Sequence, residues 1–370
     1  MSQGGAAPPC PHISFHDENL LAIDSHPLSP LLACGTMDGQ VLIYSTKDYV
    51  QQTQDLRISS DSCRSLRFSK SGKTLYCGLK DKSIQYIDVN SFKVSFTIPN
   101  AHHSSLNSLH VISERLVATG DDEGCVKVWD ARLRKEVFSV TENTDFISDM
   151  ASSIEKQTLL CTSGDGSLSA VDLRQRKLEQ RSDCSESELL CITLVKGGAK
   201  IVTGDAEGVL GIFTWGLWGD VIDRYPLTLR SQSIDSSIQI SDSVVCAGGL
   251  DGIIRVVQIL PNKTICELGR HHGSECSYPV EELRLSHDKT HLLSSSYDQV
   301  NSWPIGDLPK VWIGGGRREK EEQEEEEEEE QEDVKERRRG GKKSRRKRRR
   351  KELLAGSQPP KKRDTFFDDL

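Results

Sequence analysis

An internal repeat of about 42 residues constrains this chain more than any other feature. In each copy a tight turn, most often Asp-Gly or Glu-Gly, precedes a short strand in which apolar and polar residues alternate. The turns fall at positions 39, 82, 124, 166, 208, 252 and 299, with spacings of 43, 42, 42, 42, 44 and 47 residues. Strands this short are stable only when small sheets stack on one another. Seven copies therefore predict a closed ring of seven sheets, a β-propeller.

The turns predict which residues hold each copy in shape. A short apolar strand such as Leu116 to Gly120 leads into a turn with a positive φ, which glycine adopts readily. We therefore assign a structural turn role to Gly39, Gly124, Gly166, Gly208 and Gly252. An acidic residue precedes the turn position in every copy, and we expect it to cap the turn through backbone amides. These residues are Asp38, Asp81, Glu123, Asp165, Glu207, Asp251 and Asp298.

The third copy carries the most complete motif. Its run from Thr119-Gly120-Asp121-Asp122 to Val128-Trp129-Asp130 resembles a WD40 repeat. The resemblance extends over residues 12–313, although only this copy keeps the full Trp-Asp pair and the seventh is one residue short before Trp303. It implies an all-β fold, a seven-bladed WD40 propeller over residues 12–313. It also implies a hydrogen-bonded network of His102, Thr119 and Trp129 with a turn aspartate.

Several longer runs in the body are more specific than the generic repeat. They are similar to the WD repeat-containing protein 55 family and comprise Ala101-His102, Asn107 to Leu109, Ala118 to Asp122, Thr162 to Gly166, Asp251 to Arg255, Leu260 to Asn262 and Pro279 to Leu283. That family consists of nuclear and nucleolar propellers associated with ribosomal RNA production. The resemblance therefore implies a nucleolar protein-interaction scaffold in ribosome biogenesis, acting in ribosomal RNA production and processing with pre-ribosomal proteins as partners.

The charge distribution separates a tail from the body. Residues 319–336 hold 13 acidic residues and two lysines, whereas residues 337–351 hold 12 basic residues and no acid. Blocks of like charge repel themselves and cannot bury a core. We therefore predict a disordered tail, acidic and then basic, over residues 314–370.

The basic block predicts both location and a ligand. Its residues Lys342, Lys343, Arg345, Arg346, Lys347, Arg348, Arg349, Arg350 and Lys351 are typical of a nuclear and nucleolar localisation signal. The same charges would bind an RNA backbone without reading its sequence. Residues 1–316 hold 39 acidic and 29 basic residues, so we expect RNA affinity in the tail and a propeller nearly inert toward RNA. The expected location is the nucleus and nucleolus, with the cytoplasm as a second location.

Other function classes find little support in the sequence. The nucleophile motif Gly-x-Ser-x-Gly and the phosphate-binding loop Gly-x-x-x-x-Gly-Lys-Ser/Thr are absent, and no histidines and cysteines are spaced as a metal site. We therefore expect no enzyme, no cofactor and no metal. No run of 18 apolar residues occurs, so no membrane span is expected either. The propeller is expected to be monomeric.

One short motif supports an alternative function. Trp129-Asp130-Ala131-Arg132 looks like the box through which some WD40 proteins dock on the damaged-DNA-binding adaptor of cullin-RING ubiquitin ligases. On that interpretation the partner-binding residues are Trp129, Asp130 and Arg132, and Arg132 projects from the ring face opposite Asp122. The competing interpretation is an ordinary Trp-Asp strand end with a surface arginine. A third function, a cytoplasmic signalling scaffold, is opposed by the basic block.

Two segments compete to close the ring. Ile13-Ser14-Phe15 lies before the first repeat, and Val311-Trp312-Ile313 lies after the last one. A strand from the opposite terminus ties the chain ends together and removes an exposed sheet edge. We therefore predict that the N-terminal segment supplies the outer strand of the final blade.

Overall fold

The computed structural model describes residues 12–15, 19–46, 51–228, 232–271 and 278–306. All of them belong to one compact unit, Met1–Ile313. The predicted tail, with its localisation residues Lys342 to Lys351, and the candidate closing segment Val311 to Ile313 lie outside the described residues. Within the described ranges no helix is long and apolar enough to cross a membrane.

The described residues form seven antiparallel sheets of four strands each, which confirms the seven-bladed propeller. The first strand of the described residues is the short β1 (His12–Ser14). Blade 1 contains β2 (Leu20–Ser25), β3 (Leu31–Thr36), β4 (Gln40–Ser45) and β5 (Gln51–Arg57). Blade 2 contains β6 (Cys63–Phe68), β7 (Thr74–Leu79), β8 (Ile84–Asp88) and β9 (Lys93–Ile98). Blade 3 contains β10 (Leu106–Val111), β11 (Leu116–Asp121), β12 (Val126–Asp130) and β13 (Lys135–Val140).

The remaining blades repeat this order. Blade 4 contains β14 (Ile147–Ser153), β15 (Thr158–Ser163), β16 (Leu168–Asp172) and β17 (Lys177–Arg181). Blade 5 contains β18 (Leu189–Val195), β19 (Lys200–Asp205), β20 (Val209–Thr214) and β21 (Asp223–Pro226). Blade 6 contains β22 (Ile234–Ser241), β23 (Val244–Gly249), β24 (Ile253–Gln258) and β25 (Lys263–Arg270). Blade 7 contains β26 (Glu282–Leu285), β27 (His291–Ser295) and β28 (Gln299–Pro304), with β1 as its fourth strand.

The core lies between neighbouring blades and depends mostly on the second and third strands. All six residues of β15 are buried, as are all six of β23. Because a blade is covered on both faces by its neighbours, these strands are apolar along most of their length and do not alternate. The outer strands, such as β17, are largely exposed.

The five predicted turn glycines all have a positive φ, between 71° and 83°. Lys82 takes the same conformation in blade 2, with a φ of 70°. At Gly124 a Cβ atom would lie 2.5 Å from the carbonyl oxygen of Asn143, so no larger residue fits there without movement of the backbone. Each of these glycines therefore has a backbone conformation that residues with a side chain rarely adopt.

The predicted turn caps are confirmed in three blades, and another side chain takes the role in blades 1, 3 and 5. In blade 1 the backbone N–H of Gln40 donates to the Thr36 hydroxyl and not to Asp38. Asp81, Asp165 and Asp251 each accept a hydrogen bond from the backbone amide two residues ahead. In blades 3 and 5 the cap is instead Asp121 or Asp205, two residues before the predicted glutamates. The shorter aspartate side chain reaches backbone amides two and four residues ahead, a geometry that an additional methylene group disturbs.

The ring closes with the N-terminal strand, as predicted. β1 pairs antiparallel with β28, with Ile13 opposite Val300. The backbone N–H of Phe15 extends this pairing by donating to the carbonyl oxygen of Asp298, at 2.8 Å. Ile13 and Phe15 are both buried, and the Phe15 ring meets the ring of Tyr44 in blade 1 edge to face. The closing strand therefore contacts both the last and the first blade.

Side chains of one blade accept hydrogen bonds from backbone N–H groups on the innermost strand of the next blade. The Glu282 carboxylate accepts from the backbone N–H of Ile23 at 2.6 Å, and the Asp24 carboxylate accepts from that of Phe68 at 2.7 Å. Similar bonds run from the Ile192 amide to Asp149 and from the Leu283 amide to Ser236. The first strand of each blade is a sheet edge, so these bonds replace the partner strand that it lacks.

Two arginines neutralise the carboxylates at the centre of the ring. Arg67 lies 2.8 Å from Glu282, and Arg284 lies 3.3 Å from Asp24. Burial raises the pKa of Asp24 and of Asp149, whereas Arg67 and Arg284 lower it. These ion pairs join blades 7, 1 and 2, the blades at which the chain ends meet.

Deletion of residues 1–16 should therefore lower the melting temperature by about 10 °C, because it removes the pairing with β28 and the burial of Ile13 and Phe15. Deletion of residues 1–11 leaves β1 in place and serves as the matched control, with little change expected. Thermal unfolding followed by circular dichroism measures both. Equal melting temperatures for the two deletions would show that β1 does not close the ring.

Candidate functional site

The turns and connections divide the propeller surface into two faces of opposite charge. Turns between the second and third strands, and connections between blades, lie on one face, which we call the acidic face. Turns between the first and second strands, and between the third and fourth, lie on the opposite face, which we call the basic face. Among the described turn and connection residues, the acidic face holds 15 carboxylates and two lysines, and the basic face holds ten lysines and arginines and five acids. The net charge of the body therefore describes neither face.

The residues that produce this separation are spread over all blades. The carboxylates of the acidic face are Asp38, Asp61, Asp81, Asp122, Glu123, Glu142, Asp145, Asp165, Asp183, Glu186, Glu188, Glu207, Asp251, Glu281 and Asp298. The cations of the basic face are Lys70, Lys73, Arg115, Arg132, Arg134, Lys156, Arg174, Arg176, Lys196 and Lys289. Six of these cations lie in blades 3 and 4. The sequence did not predict this separation of charge between the two faces, because it depends on which end of each strand a residue occupies.

The Trp-Asp box of blade 3 has one exposed member among its three candidate residues. Trp129 is 5% exposed and Asp130 is 8% exposed, whereas Arg132 is exposed on the turn after β12. The Asp130 carboxylate accepts from the backbone N–H groups of Arg132 and Leu133, both at 2.9 Å. Trp129 and Asp130 therefore have structural roles, and of the three residues only Arg132 is exposed. It lies on the face opposite Asp122, as predicted.

The network predicted around Trp129 is present, with Asp121 as its carboxylate. The indole N–H of Trp129 donates to the Thr119 hydroxyl at 2.8 Å, and the Thr119 hydroxyl lies 2.7 Å from Nε2 of His102. Nδ1 of His102 lies 2.9 Å from Asp121. A neutral His102 with its proton on Nδ1 satisfies every bond in this chain. Burial alone would raise the pKa of Asp121, but the bonds from His102 and from the Cys125 amide hold it below its ordinary value.

A second network, which the sequence did not reveal, holds blade 7 together. The Ser294 hydroxyl lies 2.6 Å from Nε2 of His271 and accepts from the indole N–H of Trp303 at 2.8 Å. Ser294 and Trp303 are the structural equivalents of Thr119 and Trp129. The hairpin of β27 and β28 is one residue shorter than its equivalent in blade 3, because Leu292 faces Trp303 whereas Val117 faces Trp129, and this shifted Trp303 out of the alignment. In the sequence, this second network was indicated by a histidine and a tryptophan in the same repeat, His271 and Trp303.

The third-blade network also resembles a set of metal ligands. Ligand atoms of His102, Asp121 and Cys125 lie within 4.8 Å of one another. Both ring nitrogens of His102 and both carboxylate oxygens of Asp121 are already engaged in hydrogen bonds. Burial raises the pKa of the Cys125 thiol to about 11, which opposes the thiolate that a metal would require. This group of residues is therefore a structural network.

The turn after β16 repeats the geometry of the Arg132 turn. The Asp172 carboxylate accepts from the backbone N–H groups of Arg174 and Gln175, both at 2.8 Å. Arg134 and Arg176 close the two turns with positive φ values of 57° and 58°. Because Val171 replaces the tryptophan, the sequence motif did not identify this second turn.

Substitution of Thr119 by valine should destabilise the propeller by about 1 to 3 kcal/mol, because it leaves His102 and Trp129 without their shared partner. Thr203→Val is the matched control, since Thr203 occupies the equivalent position in blade 5 and is not bonded to a histidine or a tryptophan. Urea unfolding gives both free energies. The network would have no stabilising role if Thr119→Val cost no more than Thr203→Val.

Trp129→Ala should cost about 3 to 5 kcal/mol, because it also removes a large buried ring.

Known proteins show similarity over the same part of the chain. A family model described as WDR55 matches residues 10–308. WD repeat-containing protein 55 of Bos taurus is 37% identical over 287 residues, which cover 76% of this chain and 74% of that protein. WD repeat-containing protein 55 of Arabidopsis thaliana is 35% identical over 284 residues, covering 76% of this chain and 79% of that protein.

Solved structures agree on the fold. The structure of U3-55K matches with a TM-score of 0.68 and 14% identity, over 80% of this chain and 98% of that chain. The crystal structure of RRP9 WD40 repeats matches with a TM-score of 0.68 and 14% identity, over 79% of this chain and 97% of that chain. At this identity the likeness shows the fold alone. The family model and the relatives carry more weight, and by both of them this chain belongs to the WD repeat-containing protein 55 family.

Proposed function

We propose that this protein is a non-enzymatic scaffold of the nucleolus that binds pre-ribosomal proteins during ribosomal RNA production and processing. Membership of the WD repeat-containing protein 55 family over residues 10–308 is the observation that carries the proposal. The family resemblance associates such propellers with the nucleolus. The basic block at residues 337–351 supports the same location.

The surface of the propeller supports binding of macromolecules over catalysis on a small molecule. A cleft between blades 4 and 5, lined by Asp183, Asp205 and Arg224 among others, encloses about 90 Å³. Small-molecule sites usually enclose about 300 to 1,000 Å³. The turn carboxylates of Asp81, Asp121 and Asp165 accept hydrogen bonds from backbone amides, which is a structural role. The two charged faces instead offer broad areas for partners of opposite charge.

The tail is proposed to concentrate the protein on pre-ribosomal particles. Its 12 basic residues at 337–351 would neutralise RNA phosphates, with a slope of log K against log salt near −0.7 for each contact on a single strand. Such contacts depend little on the RNA sequence. The tail would therefore supply retention, while the propeller selects protein partners.

Neutralising the seven charges of Arg345 to Lys351 in the full chain should remove nucleolar retention and most of the RNA affinity, because the counterion-release contribution is lost. The variant should still recover pre-ribosomal proteins, as identified by affinity purification and mass spectrometry. Neutralising the seven glutamates Glu324 to Glu330 changes the same number of charges and should leave nucleolar retention intact. If the Arg345 to Lys351 variant recovers no pre-ribosomal protein, the propeller is not the scaffold proposed here.

Docking on a cullin-RING ligase adaptor is a second candidate function, and the exposure of Arg132 favours it. Within the described residues no carboxylate lies within 4.0 Å of its guanidinium group. Its backbone is held by Asp130, so the side chain is presented from a fixed position. A guanidinium group presented in this way can form a forked ion pair with a partner carboxylate.

Arg132→Ala should abolish binding to the damaged-DNA-binding adaptor while leaving the melting temperature unchanged, since an exposed arginine contributes little to folding. Pull-down of purified adaptor by the full chain measures the effect. Lys289→Ala removes a cation from the same face in blade 7 and is the control. Equal recovery of adaptor by the wild type and Arg132→Ala would exclude this docking mode.

A further inference from the structure

Two neighbouring turns on the basic face present the same pair of arginines. The turn Asp130 to Arg134 in blade 3 and the turn Asp172 to Arg176 in blade 4 have the same length and the same capping bonds. Both place an arginine at the second and at the fourth position after the strand-ending residue, counting the aspartate as zero. All four arginines are exposed.

The carboxylates of these turns do not neutralise the arginines through contact. The Asp172 carboxylate accepts hydrogen bonds from the backbone amides of Arg174 and Gln175. The bond from the Gln175 amide contributes most to holding the pKa of Asp172 below its ordinary value. No described carboxylate lies within 4.0 Å of the guanidinium groups of Arg174 and Arg176. Their charge is therefore available to a ligand.

Lysines extend the positive surface toward blade 5. Nζ of Lys156 donates to the carbonyl oxygen of Gly198 at 2.7 Å and lies 4.0 Å from the ring centroid of Trp215. This contact fixes an ammonium group at the junction of blades 4 and 5. Lys196 lies on the next turn of the same face. Cations thus continue along the basic face from blade 3 to blade 5.

The repeated feature of the two turns points to phosphate. Leu133, 66% exposed, stands between the arginines of the first turn, but Gln175 occupies its place in the second. The two turns therefore have the arginine pair in common but not the exposed apolar side chain. Arginine forks match phosphate geometry, and a nucleic-acid backbone offers anions one after another along a line.

We propose that the basic face of blades 3 to 5 binds the phosphate backbone of single-stranded RNA through Arg132, Arg134, Arg174 and Arg176. This site is separate from the basic tail. It replaces the expectation, drawn from net charge, of a propeller inert toward RNA. Binding is independent of RNA sequence, because the contacts are to phosphates.

The test uses the full chain with Arg345 to Lys351 neutralised, so that the tail does not mask the propeller. Arg174→Gln with Arg176→Gln is the principal variant, because Arg134 stacks on Phe96 at 4.4 Å and its loss could disturb packing. Lys80→Gln with Lys82→Gln removes two charges from the acidic face and is the matched control. Fluorescence anisotropy with two unrelated 20-nucleotide single-stranded RNAs gives the affinities, and thermal melting checks the fold.

The arginine variant should bind both RNAs about tenfold more weakly, with a salt slope smaller by about 1.4 for two lost contacts. The control should bind as its parent does. Absence of RNA binding by the tail-neutralised parent at low salt, or equal binding by the arginine variant, would overturn the proposal. The proposal would also be overturned if the arginine variant lost binding to a poly-glutamate probe but kept its binding to RNA. That result would assign the face to an acidic protein. None of these results bears on whether the chain recovers pre-ribosomal proteins.

Discussion

The edges of the seven sheets set the main physical requirement of this fold. Each blade has an innermost strand with a partner strand on one side only, and unsatisfied backbone groups on its other side are costly. Bonds between blades meet this requirement, as at the Ile23 amide, which donates to Glu282. At the open end of the chain, β1 completes the outer edge of blade 7. The rigid ring that results fixes every turn on one face or the other.

The division of charge between the faces follows from this arrangement. In antiparallel sheets, successive turns lie at opposite ends of the strands. The acidic residues of the Asp-Gly and Glu-Gly turns therefore all lie on one face. The arginine turns after β12 and β16 gather on the other. A single ring can therefore present one surface to basic partners and another to anions, and electrostatic complementarity of this kind governs association rate and specificity more than affinity.

Local patterns predicted parts of the site well and missed others. The network of His102, Thr119 and Trp129 follows from the motif, because all three residues stand at standard positions. The capping role of Asp121 was assigned to Glu123, two residues later, because both are acidic and only the geometry of the turn distinguishes them. The network around Trp303 was missed because a shortened turn breaks the alignment without breaking the pairing of the strands.

The sequence by itself determined the number of blades and the turn glycines, because periodicity and positive φ are local properties, and its charge blocks predict a separate tail. Tertiary structure alone decided which carboxylates cap backbone edges across blades, and which arginines share a face. Arg132 and Arg174 are 42 residues apart in the chain, yet they stand on adjacent turns. The stacking of one blade against the next in a fixed register converts that separation into proximity.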